Sequence, residues 1–312
     1  MILLTGSSGF VGSEILNQLT QRAVLPIRTY GRRDSGRLKI SQNMTVDHAV
    51  GDIGPEVNYA NALRGVDVII HCAALAHMAK SDELSYQNIN TLGTIELAKQ
   101  AQQASAKRFV YISSIGVNGP STKNIPFSVD STVHPHNAYA KSKYDAEIGL
   151  KKIAAETGLE VVIVRPTLVY GAHAPGNFGS LIKLVKRIPV LPFGLADNKR
   201  DFISVKNLAD LLITCALHPK APGHTFLASD GETVSIKDFT NAIAKGLDKK
   251  LIQLPIPVSL MRLVARLVRK SAMAEQLLGN LQVDSSNAQE VLGWIPPYTM
   301  EQAMASLSEN KK

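Results

Sequence analysis

The stretch ILLTGSSGFVGSEILNQL, residues 2–19, decides how the rest of the chain is read. Ile2-Leu3-Leu4 is a short apolar run, as a strand buried on both faces shows. TGSSGFVG, residues 5–12, is a glycine-rich turn, and the segment that follows has helical spacing. Strand, glycine turn and helix in that order is the context in which such a turn holds a dinucleotide. Gly6 permits the turn off the strand, Gly9 lets a pyrophosphate approach the backbone, and Gly12 lets the helix pack close to the strand. Ser8, Gly9, Phe10, Val11 and Gly12 are therefore expected along the phosphates, where free N–H groups and the helix dipole favour an anion. The spacing Gly-x-x-Gly-x-x-Gly is one residue wider at the front than the common fingerprint.

Length and composition bound the rest. The 312 residues suffice for one large or two ordinary domains, and 45% apolar against 19% charged residues allows a well-buried core. No apolar run approaches the roughly 18 residues of a membrane span. An apolar strand beginning at residue 2 leaves no room for a secretory signal, and Cys72 and Cys215 match no metal or redox spacing. A cytoplasmic protein without a metal is expected. The net charge is +8, but basic residues are scattered and aromatics are only 5%, which argues against nucleic acid and for anionic small molecules.

Residues 24–30, VLPIRTY, read as a second strand, and the residues after it bear on the cofactor. An acid there would bind a ribose 2′-hydroxyl and repel a 2′-phosphate. Gly31-Arg32-Arg33 stands there instead, and both Arg32 and Arg33 suit a phosphate. NADP is expected, with NAD as the alternative. A third strand ends at Asp52, placed with Ile53 beside the adenine. The apolar run of residues 66–76 ends in Ala73 and Ala74, whose small side chains leave space for a cofactor. Strands and helices keep alternating, which predicts an α/β fold with a Rossmann-type doubly wound parallel sheet.

RFVYISS ends at Ser113-Ser114, and the later helical segment NAYAKSKYDAEIGLKKIAAE carries Tyr139 and Lys143 one turn apart. A tyrosine ordinarily titrates near pH 10, and a neighbouring ammonium favours its phenolate. Tyr139 is then a candidate proton donor and acceptor at a carbonyl oxygen, Ser114 a hydrogen-bond partner of that oxygen, and Lys143 an electrostatic partner that also reaches the cofactor ribose. Tyr-x-x-x-Lys alone is a weak pattern; its weight comes from its order after the glycine turn and the serine-ended strand.

With TGSSGFVG, HCAALA (71–76), NINTLGT (88–94), YISSIGVNG (111–119), YAKSK (139–143), RPTLVYG (165–171), RDFISVKNLAD (200–210) and VLGW (291–294), the chain resembles the extended short-chain dehydrogenase/reductase family, in its nucleotide-sugar epimerase and 4-ketoreductase branch. The resemblance covers essentially the whole chain. It implies Ser114, Tyr139 and Lys143 as the catalytic residues. It places Asn90 behind the cofactor site as a brace, and Arg165-Pro166 near the nicotinamide, so that Asn90 and Pro166 join the cofactor residues. It maps a diphosphate contact onto Arg200 and a further substrate contact onto Asn177, and leaves His77 facing the sugar. A homodimer is implied as well. The family's second diphosphate arginine has no counterpart in residues 275–285.

The expected reaction is reduction of a 4-keto group on a UDP-linked hexose, with C4 epimerisation on retained NAD as the close alternative. Reduction of a non-nucleotide ketone and a non-catalytic dinucleotide sensor are further alternatives. The expected domains are a dinucleotide-binding part, 1–171 and 202–222, and a smaller discontinuous α+β substrate lobe, 172–201 and 223–312. Residues 257–270, PVSLMRLVARLVRK, combine an apolar stripe with arginines. The stripe is expected in the core of the lobe, a peripheral membrane contact being the alternative.

Overall fold

A seven-stranded sheet organises the molecule, as seen in a computed structural model that describes residues 1–22, 25–32, 39–41, 44–76 and 83–309. In chain order the strands of this sheet and of a smaller three-stranded sheet are β1 (Ile2–Thr5), β2 (Ile27–Gly31), β3 (Asp47–Val50), β4 (Val68–His71), β5 (Arg108–Ile112), β6 (Glu160–Pro166), β7 (Leu168–Tyr170), β8 (Arg200–Ser204), β9 (Thr225–Ala228) and β10 (Thr233–Val234). The large sheet runs β9-β6-β5-β4-β1-β2-β3 with every pairing parallel. From β1 the chain builds outward through β2 and β3, then crosses back to β4 and builds the other way. The strand order therefore reverses between β1 and β4, and ligands bind beyond the carboxyl ends at such a reversal.

The alternation of side chains along β1 explains its continuous apolar run. Ile2 and Leu4 pack with Ile15, Leu19, Leu208 and Leu212. Leu3 packs on the opposite face with Leu97, Ala101 and Leu150. The first face is covered by α1 (Phe10–Arg22) and α5 (Val205–Leu217), the second by α2 (Thr94–Gln103) and α3 (Ala138–Thr157). Asn137 starts α3 by accepting from the Ala140 N–H at 2.8 Å, and Gly158 ends it with a φ of +76°. Both ends of the long helix that carries Tyr139 and Lys143 are thus set locally.

A second core lies beyond β6. It gathers α4 (Gly176–Arg187), α6 (Ile236–Gly246), α7 (Val258–Leu267), α8 (Ser271–Leu278) and α9 (Met300–Glu309) around Tyr170, Phe178, Phe202 and Phe239. The rings of Phe202 and Phe239 stack at 3.8 Å between centroids. Here β8 pairs parallel with β7 and antiparallel with β10.

Two expectations are corrected. Residues 225–228 do not belong to the small lobe: β9 pairs with β6 as the edge strand of the large sheet, where Phe226 and Ala228 enter its core. Leu260, Leu263, Val264, Leu267 and Val268 do not enter the lobe core either, and all of them are exposed. Among the described residues no helix is long and apolar enough to cross a membrane.

Candidate functional site

The glycine turn comes first, because it fixes where an anion can lie. Gly6 has a φ of +70°, and a Cβ there would stand 2.8 Å from the Ala73 nitrogen, on the loop after β4. A Cβ on Gly12 would meet the Gly6 carbonyl oxygen at 2.1 Å. The turn is thus drawn tight between β1 and the loop after β4, at the point where the strand order reverses. The first-turn N–H groups of α1, from Phe10 to Gly12, have no acceptor within the helix and stand at its positive end. A cradle closed by absent side chains fits a dinucleotide phosphate.

Beside the turn runs a directed chain of hydrogen bonds. The Cys72 and Ala73 N–H groups donate to Thr5 Oγ1, each at 3.2 Å. Thr94 donates to the Asn90 carbonyl at 2.7 Å, so its oxygen accepts from His71 Nε2 at 2.9 Å. His71 Nδ1 is then left to accept from Thr5 at 2.8 Å. Every atom of the chain is satisfied with His71 neutral, and burial pulls that imidazole down to about 3, the Lys143 charge adding to the effect.

Asn90 sits in a π-helical turn, Gln87–Gly93, that runs into α2. It is fully buried, accepts from the Leu75 N–H at 2.8 Å, and donates to the Leu75 carbonyl at 3.0 Å and to Ser142 Oγ at 3.1 Å. Ser142 donates in turn to the Tyr139 carbonyl at 2.8 Å. Asn90 therefore ties the loop after β4 to the helix carrying the tyrosine.

Tyr139 is half-buried, and its ring meets that of Tyr86 edge-on at 6.1 Å. Lys143 is 3% exposed, with its ammonium 4.3 Å from the centre of the Tyr111 ring. The expected priming of the phenol is not what the chain alone provides. Burial, with Tyr86 adding to it, pushes Tyr139 up to about 12. Burial pulls Lys143 down to about 7, against Cys72 and Glu147, which favour its charge. The polypeptide keeps the phenol protonated, which suits a proton donor; ionising it calls for further positive charge at the site.

The Lys143 shift carries a stability prediction. Its folded value lies below its unfolded one, so between about pH 7 and 10 the unfolded chain binds a proton that the folded chain does not. Stability from this residue is lowest below pH 7 and rises with pH through that window. The melting temperature of the ligand-free chain is expected to rise from about pH 7 to about pH 9 relative to Lys143→Met. Parallel melting curves for the two proteins would contradict the assignment.

Ser113 and Ser114, side by side at the end of β5, are divided by burial. Ser113 is 2% exposed and donates to Glu147. Ser114 is half-buried and accepts from the Gly116 N–H at 3.1 Å, which leaves its own proton for a ligand. Glu147 was not legible as a site residue. It lies one turn beyond Lys143 and is gripped by Arg165 through Nε at 2.9 Å and a second nitrogen at 2.6 Å. Arg165 also donates to Asn118 at 3.0 Å. The spacing from Tyr139 to Lys143 to Glu147, four and four, was the available signal, since it puts all three on one face of α3.

The remaining expected residues are more scattered. Arg32 is exposed just past β2; Arg33 and His77 lie outside the described residues. Asp52 is exposed and accepts from the Ile53 N–H at 2.9 Å. Ile53 buries its side chain in the core. Ala73 and Ala74 are half-buried after β4, and Pro166 is buried at the end of β6. Asn177 does not cap α4, whose N-cap is Pro175; its amide donates to Gln276 at 3.3 Å. Arg200 is buried, donates to the Gly279 carbonyl at 2.9 Å, and is pulled down to about 10 by burial, against the pull of Asp201. Cavities of about 460 and 500 Å³ lie over the lobe around Asn198 and Lys199, and neither is lined by Ser114, Tyr139 or Lys143. The candidate site is therefore defined by the side chains at the sheet's carboxyl edge rather than by either cavity. Among the described residues no group of His, Cys, Asp and Glu is placed to hold a metal.

Residues 2–228 match the NAD dependent epimerase/dehydratase family. The chain is 40% identical over 314 residues to UDP-glucose 4-epimerase of Vibrio cholerae, covering 99% of this chain and 94% of that protein. Among solved structures, UDP-glucose 4-epimerase of Thermotoga maritima with UDP-glucose superposes with a TM-score of 0.76 at 21% identity, covering 99% of this chain and 97% of that one. UDP-glucuronic acid 4-epimerase of Bacillus cereus in complex with NAD gives 0.79 at 20% identity, covering 100% and 99%. The resemblance to the extended short-chain dehydrogenase/reductases holds, and with the family match over most of its length the chain belongs to the NAD-dependent epimerase/dehydratase family of enzymes.

Proposed function

We propose that the chain interconverts C4 epimers of a UDP-linked hexose, with UDP-glucose and UDP-galactose as the first pair to test. The observation that carries this reading is the 40% identity to UDP-glucose 4-epimerase over 99% of the chain. It moves the preferred reaction away from 4-keto reduction. The residues suit the task in kind. Tyr139 exchanges a proton with the sugar O4, and Ser114 donates a hydrogen bond to the same oxygen. Lys143 supplies positive charge beneath them and binds ribose hydroxyls. The nicotinamide dinucleotide supplies the acceptor and donor of hydride at C4. Arg200 and Asn177 are assigned to the diphosphate, and His77 to the sugar.

A second reading, 4-keto reduction with NADP, is favoured by one feature. The end of β2 presents Gly31 and an exposed Arg32, with Arg33 next in sequence, where an acid would hold the NAD ribose. The two readings differ in how the cofactor is used. On the first, purified chain converts UDP-glucose to UDP-galactose with no net change in nicotinamide absorbance. NADPH consumed one for one with a UDP-4-keto sugar, with no epimer formed from UDP-glucose, would overturn it.

A further inference from the structure

We infer that α7 and the turn after it form a docking surface for an anionic lipid bilayer. This rests on the lobe surface alone and is independent of the reaction proposed above.

On α7, Val258 and Met261 pack against the lobe core together with Ala274 and Leu277 of α8. The opposite face should be polar in a surface helix that has no partner. Here it is not. Leu260, Leu263, Val264 and Leu267 follow the i, i+3, i+4, i+7 pattern of a single face, and Val268 continues it. These five residues are between 46% and 75% exposed, and Met273 on α8 is 55% exposed. No residue of α7 is buried. The helix is apolar on both sides, and among the described residues only one side has a partner.

Charge selects the occupant. Residues 258–278 contain Arg262, Arg266, Arg269 and Lys270 against a single acid, Glu275. Arg262 is paired with that acid at 2.9 Å, which leaves Arg266, Arg269 and Lys270 as the excess charge. Contact with a second copy about a twofold axis would gather two sets of these cations into one interface with no acid added to balance them, since such an interface pairs a patch with itself. An anionic bilayer neutralises them and takes up the leucines, as it does for amphipathic helices lying in the interface. The surface is also firmly mounted. The carbonyls of Leu277 and Gly279, at the end of α8, accept from Asn198 at 3.1 and 3.2 Å, and that of Gly279 accepts from Arg200 at 2.9 Å. A bilayer bound at α7 would thus hold the lobe through the segment that also anchors Arg200.

The test is co-sedimentation of the full chain with vesicles of phosphatidylcholine alone and of phosphatidylcholine doped with phosphatidylglycerol. The chain is expected to pellet with the doped vesicles only, and less so as salt is raised. Leu263→Asp/Leu267→Asp should lower partitioning at least about tenfold. Arg266→Gln/Lys270→Gln leaves the stripe intact and should also weaken binding; it keeps the test decisive if the first variant folds poorly by circular dichroism. Failure to pellet with the doped vesicles overturns the inference, and so does equal binding by both variants and the parent. So does a dimer that becomes a monomer on replacing the leucines while the parent ignores vesicles, since that assigns the stripe to a second copy.

Discussion

Tyr139→Phe is expected to lower kcat by about 10²- to 10⁴-fold, the range that a positioned proton donor contributes, while the fold and dinucleotide binding persist. The ring is retained, so the edge-on contact with Tyr86 at 6.1 Å survives. What disappears is one hydroxyl, held protonated by burial and standing one helical turn from Lys143 at the carboxyl edge of the sheet. Steady-state kinetics on a UDP-hexose, with dinucleotide binding followed separately by thermal shift, would make the check. Tyr86→Phe serves as the control, because it alters the neighbouring phenol and leaves the proposed donor in place. Activity of Tyr139→Phe within a few fold of the parent would remove Tyr139 from the chemistry and leave the family's fold carrying a different site.

The parts that were legible in the sequence are those written in local pattern. The strand, turn and helix of residues 2–22 are legible because a positive φ at Gly6 and the apolar spacing of α1 are local demands. Tyr139 and Lys143 share a face because four residues make about one turn, wherever the helix lies. What was not legible depends on distant partners. Thr225–Ala228 reads as a strand from its own residues, but its place beside β6 is decided by a pairing across some sixty residues. Leu260 and Leu263 read as a core stripe because a core is the commonest destination of such a pattern; α7 turns its other face, Val258 and Met261, inward instead. Glu147 reads as one more charge on a long helix. Its role becomes visible only when β6 brings Arg165 beneath it.

That pair sets the largest expected effect on stability. Glu147→Ala should destabilise the chain by about 3–5 kcal/mol, because it leaves a guanidinium buried without its counter-charge. Arg165 and Glu147 are 3% and 0% exposed, so water cannot replace the lost partner. Ser113 loses its acceptor in the same step, and among the described residues only the Asn118 hydrogen bond to Arg165 remains. The double replacement Glu147→Leu/Arg165→Met removes both charges and should recover much of the loss, which separates the cost of an orphaned charge from the worth of the pair. Denaturant melts of the parent, Glu147→Leu, Arg165→Met and the double variant close the cycle. A single-variant loss below about 1 kcal/mol would mean that the site relaxes or admits water. The same replacement reaches the chemistry through Lys143, whose charged form Glu147 favours. Without that carboxylate Lys143 gives up its proton at lower pH, so activity that depends on the ammonium should fall away at lower pH in a variant that still folds. A milder variant, Glu147→Gln, keeps one acceptor for Arg165 and serves to read that displaced pH profile.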